Sequence, residues 1–229
     1  MKSKIQQLND NITLYNGDCL EIMQSLGKVD AVITDPPYGE EIGNMGFTKT
    51  RVGGVTLRND YSGQGAWDSK RISEQHIKEM INISRTQVIF GGNFYADMLP
   101  PSRGWFVWDK KDGGKYSNDF ADCELAWTNQ DVPSRLVRHI WHGMIQQNMK
   151  NKEKRYHPTQ KPVAVMVSAI ERYTNPGDTI LDPFMGSGST IVACIQTGRR
   201  AIGIEIEEKY FDISVKRAKE ALLQTRMEI

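Results

Sequence analysis

The chain has 229 residues, 39% hydrophobic and 25% charged, ordinary globular values that allow one large domain with a sizeable core. No stretch approaches the roughly 18 consecutive apolar residues of a membrane span, and the opening MKSKIQQLND has no apolar region behind its basic residues, so a soluble, unexported protein without membrane contact is expected. A net charge of +1 neither supports nor excludes a nucleic-acid partner, and the three cysteines, Cys19, Cys123 and Cys194, form no C-x-x-C pair, so neither a disulfide framework nor a metal site is indicated.

In chain order, short apolar runs alternate with helical patterns. The strand candidates are NITLYN (11–16), DAVIT (30–34), TQVIF (86–90), GWFVWD (104–109), CELAWT (123–128), LVRHIW (136–141), DTILD (178–182) and RAIGIE (200–205). Helix patterns fall at about 19–26, 73–84, 162–174, 188–197 and 207–224. Ser73 with Gln75 and His76 marks one helix start and Pro162 another; Gly27 and Gly198 mark helix ends as left-handed caps. The alternation predicts βαβ units and a doubly wound, mainly parallel α/β sheet. Residues 39–72, rich in glycine, and 142–157 are the least regular stretches, and loops of that length in a compact domain are commonly functional.

The strand at 30–34 ends on Asp35-Pro36-Pro37-Tyr38. Two successive prolines fix two φ angles and remove two backbone donors, so the chain leaves the strand as a stiff turn. That turn holds a carboxylate (Asp35), a backbone carbonyl with no N–H beside it (Pro36) and an aromatic face (Tyr38). Two acceptors and a stacking plane suit a nucleobase with an exocyclic amine. Such an amine is a poor nucleophile because its lone pair is delocalised into the ring. Holding its two hydrogens on acceptors localises that lone pair, and the carboxylate then stabilises the positive charge that develops on nitrogen. No Pro-Cys pair is present, so a covalent cysteine route on a cytosine ring is not indicated.

Further on, TILDPFMGSGSTIVACIQTGRRAIGIE runs from an apolar strand through Asp182 and a glycine turn into a helix, then to a second strand ending on Glu205. A P-loop would need a lysine after Gly188, where Ser189 stands, and a dinucleotide fingerprint would need a third glycine, where Ile191 stands. What remains is the loop of an S-adenosylmethionine (SAM) site, with Glu205 placed for the ribose hydroxyls. Between Arg135 and Pro162 lie Arg135, Arg138, Lys150, Lys152, Lys154, Arg155 and Lys161 against a single acid, Glu153, the basic stretch suited to phosphates.

Six ordered blocks, NGDCLEIM (16–23), TDPPYG (34–39), VIFGGNFYADMLP (88–100), GWFVWDK (104–110), HPTQKP (157–162) and LDPFMGSGST (181–190), resemble the amino-methyltransferases of DNA, in the group whose Asp-Pro-Pro-Tyr precedes the SAM loop. The resemblance implies a Rossmann-like methyltransferase sheet as a single domain over 1–229, with the catalytic half first and the SAM-loop half last. It implies that Asp35, Pro36, Pro37 and Tyr38 hold the target base. Asp18 would contact the adenine amine of SAM, Glu205 its ribose, and Asp182, Pro183, Phe184, Gly186, Ser187 and Gly188 its methionine half, with Asp35 nearby and Thr159 and Lys161 as a further cofactor block. Asp before the prolines, rather than Ser, favours the N6 amine of adenine over the N4 amine of cytosine; an Asn would have suggested protein glutamine methylation. The alternatives are the cytosine amine, a SAM- and DNA-binding module without turnover, and an RNA methyltransferase. The implied partner is double-stranded DNA, in the cytoplasm of a bacterium or phage-infected cell, with a homodimer expected from the family. Only about thirty residues, 128–156, stand where the family carries its target-recognition segment. Both that segment and residues 40–70 are therefore candidate DNA-contact loops.

Overall fold

The computed structural model describes residues 4–39, 51–52, 55–56, 71–114, 121–157 and 159–227. Its elements are β1 (Lys4–Asn9), β2 (Ile12–Asn16), α1 (Cys19–Ser25), β3 (Val29–Thr34), the short pair β4 (Arg51–Val52) and β5 (Val55–Thr56), α2 (Glu74–Ile83), β6 (Ser84–Phe90), a 3-10 turn at Gly92–Tyr95, β7 (Trp105–Asp109), β8 (Cys123–Thr128), β9 (Arg135–Arg138), the hairpin β10 (Trp141–His142) and β11 (Ile145–Gln146), α3 (Val163–Tyr173), β12 (Thr179–Asp182), α4 (Ser189–Gln196), β13 (Arg200–Glu205) and α5 (Glu208–Met227).

The main sheet has nine strands in the order β1-β2-β13-β12-β3-β6-β8-β7-β9. The centre, β2 to β6, is parallel, while β1 and β8 run antiparallel to their neighbours. β3 is buried almost along its length because helices cover both faces, which is why it is an unbroken apolar run rather than an alternating one. Ala31 and Ile33 face the layer of α3, α4 and α5 with Met166, Ile191 and Phe211; Val32 faces α1 and α2 with Met23, Ile77 and Met80.

The expected doubly wound sheet is therefore present, and three details differ from expectation. β1 has no apolar signature: KIQQLN is an edge strand with Ile5 57% exposed, joined to β2 by a turn in which Asn9 Oδ1 accepts from the N–H of Asn11 and Ile12. The run at 136–141 breaks in two, β9 ending at Arg138 and a hairpin starting at Trp141. Gly27 does not take a left-handed conformation, since the chain leaves α1 through an extended Leu26. Gly198 does, at φ +69, with Arg199 N–H reaching back to the Cys194 carbonyl.

The chain leaving β12 crosses through α4 to β13, and the chain leaving β3 crosses through α2 to β6, on the opposite side. β12 and β3 are neighbours, so a crevice opens between their carboxyl ends, the place where open α/β sheets receive ligands. Asp182 and Asp35 stand at those two ends. Thr34 Oγ1 donates to Asp182 Oδ1 at 2.6 Å and ties them together.

Candidate active site

The Asp-Pro-Pro-Tyr turn is fixed from three sides. Tyr38 Oη donates to Asp35 Oδ1 at 2.5 Å, and the Tyr38 ring stacks on Phe94 at 4.6 Å between centroids and 12° between planes. Tyr95 Oη lies 2.6 Å from the Pro37 carbonyl and 3.3 Å from that of Pro36. A hydroxyl has one hydrogen, and the shorter contact takes it, so the Pro36 oxygen keeps acceptor capacity. Gly91 backs the tyrosine: a methyl there would lie 2.1 Å from Tyr38 Cε1, and its φ is +68. Gly91→Ala should therefore destabilise the protein by about 1–3 kcal/mol and lower turnover by displacing Tyr38; an unchanged melting temperature together with unchanged turnover would contradict this packing.

Lys161, expected in a cofactor block, lines the cavity and reaches the Asp35 carboxylate. Its buried Nζ lies 2.5 Å from Asp35 Oδ2, 3.3 Å from Tyr38 Oη and 3.0 Å from Glu124 Oε2. Glu124, from β8, takes Lys110 on its other oxygen at 2.6 Å. Burial pushes the Asp35 carboxyl up despite the nearby Lys161 ammonium. Burial would also raise Glu124, but Lys161 and Lys110 outweigh it and hold that carboxyl low.

The glycine loop forms the other wall. Glu205 Oε2 accepts from Gly186 N–H at 2.9 Å and Oε1 from Glu207 N–H at 2.8 Å. Burial nevertheless pushes its carboxyl up to about 7. Asp182 accepts from Thr34 and from Phe184 N–H, and burial raises it to about 6. Ser187 donates to Gln160 Oε1 at 3.1 Å, while Arg217 of α5 donates to the Ser187 carbonyl at 2.8 Å, clamping the loop to the 157–162 segment. Glu153 joins these pieces, accepting from Gln160, Arg217 and the N–H of Val163 at the start of α3.

Both walls line one cavity of about 580 Å³, within the range of small-molecule sites. Asp35, Pro36, Pro37, Tyr38, Thr159, Lys161, Asp182, Phe184, Gly186, Ser187 and Glu205 all face it. Three expected cofactor residues are not in its lining. Asp18 is the N-cap of α1, its Oδ1 accepting from Leu20 and Glu21 N–H. Pro183 is buried. Gly188, at φ +83, caps α4 and lies against α5, where a methyl would meet Ser214 Oγ at 2.7 Å.

The model of the DNA methylase family matches residues 101–216. The chain is also 31% identical over 210 residues to the putative methylase YubD of Escherichia coli (strain K12), an alignment covering 85% of this chain and 84% of that protein. The chain belongs to the DNA methylase family. The Type II methyltransferase M.HinfI of Haemophilus influenzae is 26% identical over 265 residues, covering 94% of this methylase and 70% of the relative. The crystal structure of the M1.HpyAVI-SAM complex superposes with a TM-score of 0.58 at 26% identity, covering 90% of this chain and 98% of that one.

Within the methylase site, Glu124, Phe94, Tyr95, Gln160 and Arg217 were not anticipated. Glu124 had a signal, a single carboxylate inside the strand CELAWT next in register to Trp108. Phe94 and Tyr95 lay inside the block VIFGGNFYADMLP, but nothing in their spacing marked the Asp-Pro-Pro-Tyr turn as their partner. Among the described residues, no group of three or more His, Cys, Asp or Glu is placed to hold a metal ion, and no helix is long and apolar enough to cross a membrane.

Proposed function

We propose that this methylase transfers a methyl group from SAM to the N6 amine of an adenine flipped out of duplex DNA. The carrying observation is the shared cavity, in which Glu205 and the glycine loop form one wall and Asp35 to Tyr38 the other. Gly186 supports the fit of a cofactor there: it lines the cavity at φ +51, and nothing lies within 4 Å of the place a Cβ would take. Glu205 would accept from the ribose hydroxyls, Gly186 and Ser187 would lie along the methionine half, and Phe184, beside His76 at 5.9 Å, would face the adenine ring. Asp18 has both cap bonds on Oδ1, so Oδ2 can take the adenine amine.

Bound SAM, held by Glu205 and the glycine loop, would supply an electrophilic sulfonium methyl for the lone pair of the target amine, its sulfur keeping the S–CH3 bonding pair. Asp35 and the Pro36 carbonyl accept the two N–H groups of that amine and hold its lone pair out of the ring. Asp35 then faces the positive charge on nitrogen and accepts the proton that the methylated amine gives up. Tyr38, stacked on Phe94, offers an aromatic wall already in place when the base arrives, which offsets part of the roughly few kcal/mol of unstacking.

The carboxyl end of the sheet, where this site lies, also carries the β10–β11 hairpin farther along, through Trp141 N–H to the Lys110 carbonyl beyond β7. Arg138, Lys150, Lys152 and Lys154 are exposed in this region and Arg135 at the other end of β9, whereas Lys161 is internal and the Arg155 guanidinium lies 4.4 Å over Trp141. Of the other DNA-contact candidate, residues 40–70, all but β4 and β5 lie outside the described residues. Lys150→Ala with Lys152→Ala should weaken DNA binding and flatten its salt dependence by a slope of about 2, one for each phosphate no longer neutralised; an unchanged slope in a fluorescence-anisotropy titration would remove these lysines from the interface.

The function is tested by incubating the protein with methyl-labelled SAM and methylation-free, mixed-sequence duplex DNA, then digesting to nucleosides. N6-methyladenine is expected. N4-methylcytosine as the sole product would move the reaction to the cytosine amine, and a preference for structured RNA would replace the substrate.

A further inference from the structure

We propose that Glu124 is a positioning residue of the methyl-transfer site, holding the Lys161 ammonium so that Lys161 does not fully offset the charge Asp35 presents to the incoming amine. The inference rests on the reaction proposed above and adds to it a residue from outside the six sequence blocks shared with the family.

A difficulty in the geometry motivates it. Asp35 is to stabilise positive charge on the target nitrogen, yet a buried ammonium already sits 2.5 Å from its Oδ2. Asp35 and Lys161 alone would make a neutral pair and offer the amine little field. Glu124 changes the balance. Its Oε2 is 3.0 Å from the same Nζ, so the buried ammonium is shared between two carboxylates and neutralises Asp35 only in part. Lys110 engages the far oxygen of Glu124 at 2.6 Å, which anchors that carboxylate from the side away from Asp35.

Bond alignment points the same way. Lys161 directs hydrogen bonds at Asp35 and Tyr38, whereas Glu124 Oε2, fully buried, has no aligned hydrogen bond among the described residues. A buried carboxylate oxygen left in that condition is costly unless a donor can reach it. Lys161 is that donor: its ammonium has three hydrogens, so one can reach Glu124 at 3.0 Å and hold Lys161 in place while Asp35 accepts from the target amine. Glu124 thus acts through Lys161 and touches no reactant; it is absent from the cavity lining.

The groups facing Asp35 are Tyr38 on its own turn, Lys161 from the segment before α3, Glu124 from β8, Lys110 from the end of β7 through Glu124, and Asp182 from the end of β12. Methyl transfer needs Asp35 ionised, so the rate falls on the acid side as it takes up a proton. Removing the negative charge of Glu124 should move that acid limb to lower pH, and removing the positive charge of Lys161 should move it to higher pH.

The experiment is single-turnover methylation of methylation-free duplex DNA with labelled SAM across pH, alongside calorimetric SAM binding. Glu124→Gln should bind SAM normally, lose about tenfold in plateau rate and shift its acid limb down by about one pH unit. Lys161→Met should shift the limb upward. A mere loss of packing would lower the rate without opposite shifts. Should Glu124→Gln not fold, the double variant Glu124→Gln/Lys161→Met, which leaves no lone charge between Asp35 and Lys110, should place its limb below that of Lys161→Met alone. Wild-type protein that methylates no nucleic acid would overturn the proposed function itself. Active wild type with a Glu124→Gln limb and plateau unchanged, or coincident limbs for the double variant and Lys161→Met, would overturn only the role of Glu124.

Discussion

Replacing Asp35 by alanine should cut methyl transfer by about a hundredfold or more, the usual scale for losing a preorganised polar group that faces developing charge. Affinity for SAM should change little, because the bonds that shape the cofactor wall run through Glu205, Ser187 and Gln160. The stability effect should be smaller than for most lost buried charges. Without the Asp35 carboxylate, Lys161 still has Glu124 at 3.0 Å, so no ammonium is stranded. Turnover on duplex DNA and calorimetric SAM binding, measured on one preparation, separate the two effects; a variant that retains wild-type turnover would remove Asp35 from the chemistry.

Much of the fold was legible because it is written in periodicity. Central strands buried on both faces appear as continuous apolar runs, and TILD, DAVIT and TQVIF all became neighbours in the sheet centre. The Asp-Pro-Pro-Tyr turn was legible for a different reason: two prolines constrain the backbone locally, whatever surrounds them. Contacts between segments distant in sequence were not legible. Lys161 lies 126 positions from Asp35, and no spacing rule ties a lysine before a helix to a turn at the far end of the chain. Glu124 depends on the register of β7 with β8, which brings Glu124 opposite Trp108 and within reach of Lys110. Gly188 is a place where local pattern and tertiary packing overlap. Its place in Gly-Ser-Gly suggests ligand contact, and the structure also sets it against Ser214, while Gly186 two residues earlier lines the cavity.

Glu205→Ala should weaken SAM binding about a hundredfold, since hydrogen bonds to a charged group are worth about 1.5–3 kcal/mol and the carboxylate faces both ribose hydroxyls in the proposed pose. The loss has a second source in the loop itself. Gly186 N–H and Glu207 N–H both end on this carboxylate, so alanine leaves the turn without its anchor. Glu205→Gln separates the two sources: its amide oxygen can replace one acceptor and its NH2 cannot replace the other. The pH dependence gives an independent check. Burial raises the carboxyl from an ordinary 4.5 to about 7, so the ligand-free fold favours the protonated form and loses stability as pH rises between those values. Ribose hydroxyls donate to the ionised form, so binding should release a proton and SAM affinity should rise with pH until about 7, then level. Calorimetry in buffers of different ionisation enthalpy would detect that proton. The Gln variant, which cannot titrate there, should show neither the proton nor this rise in affinity; a wild-type profile flat through that range would mean Glu205 is already ionised before the ribose arrives.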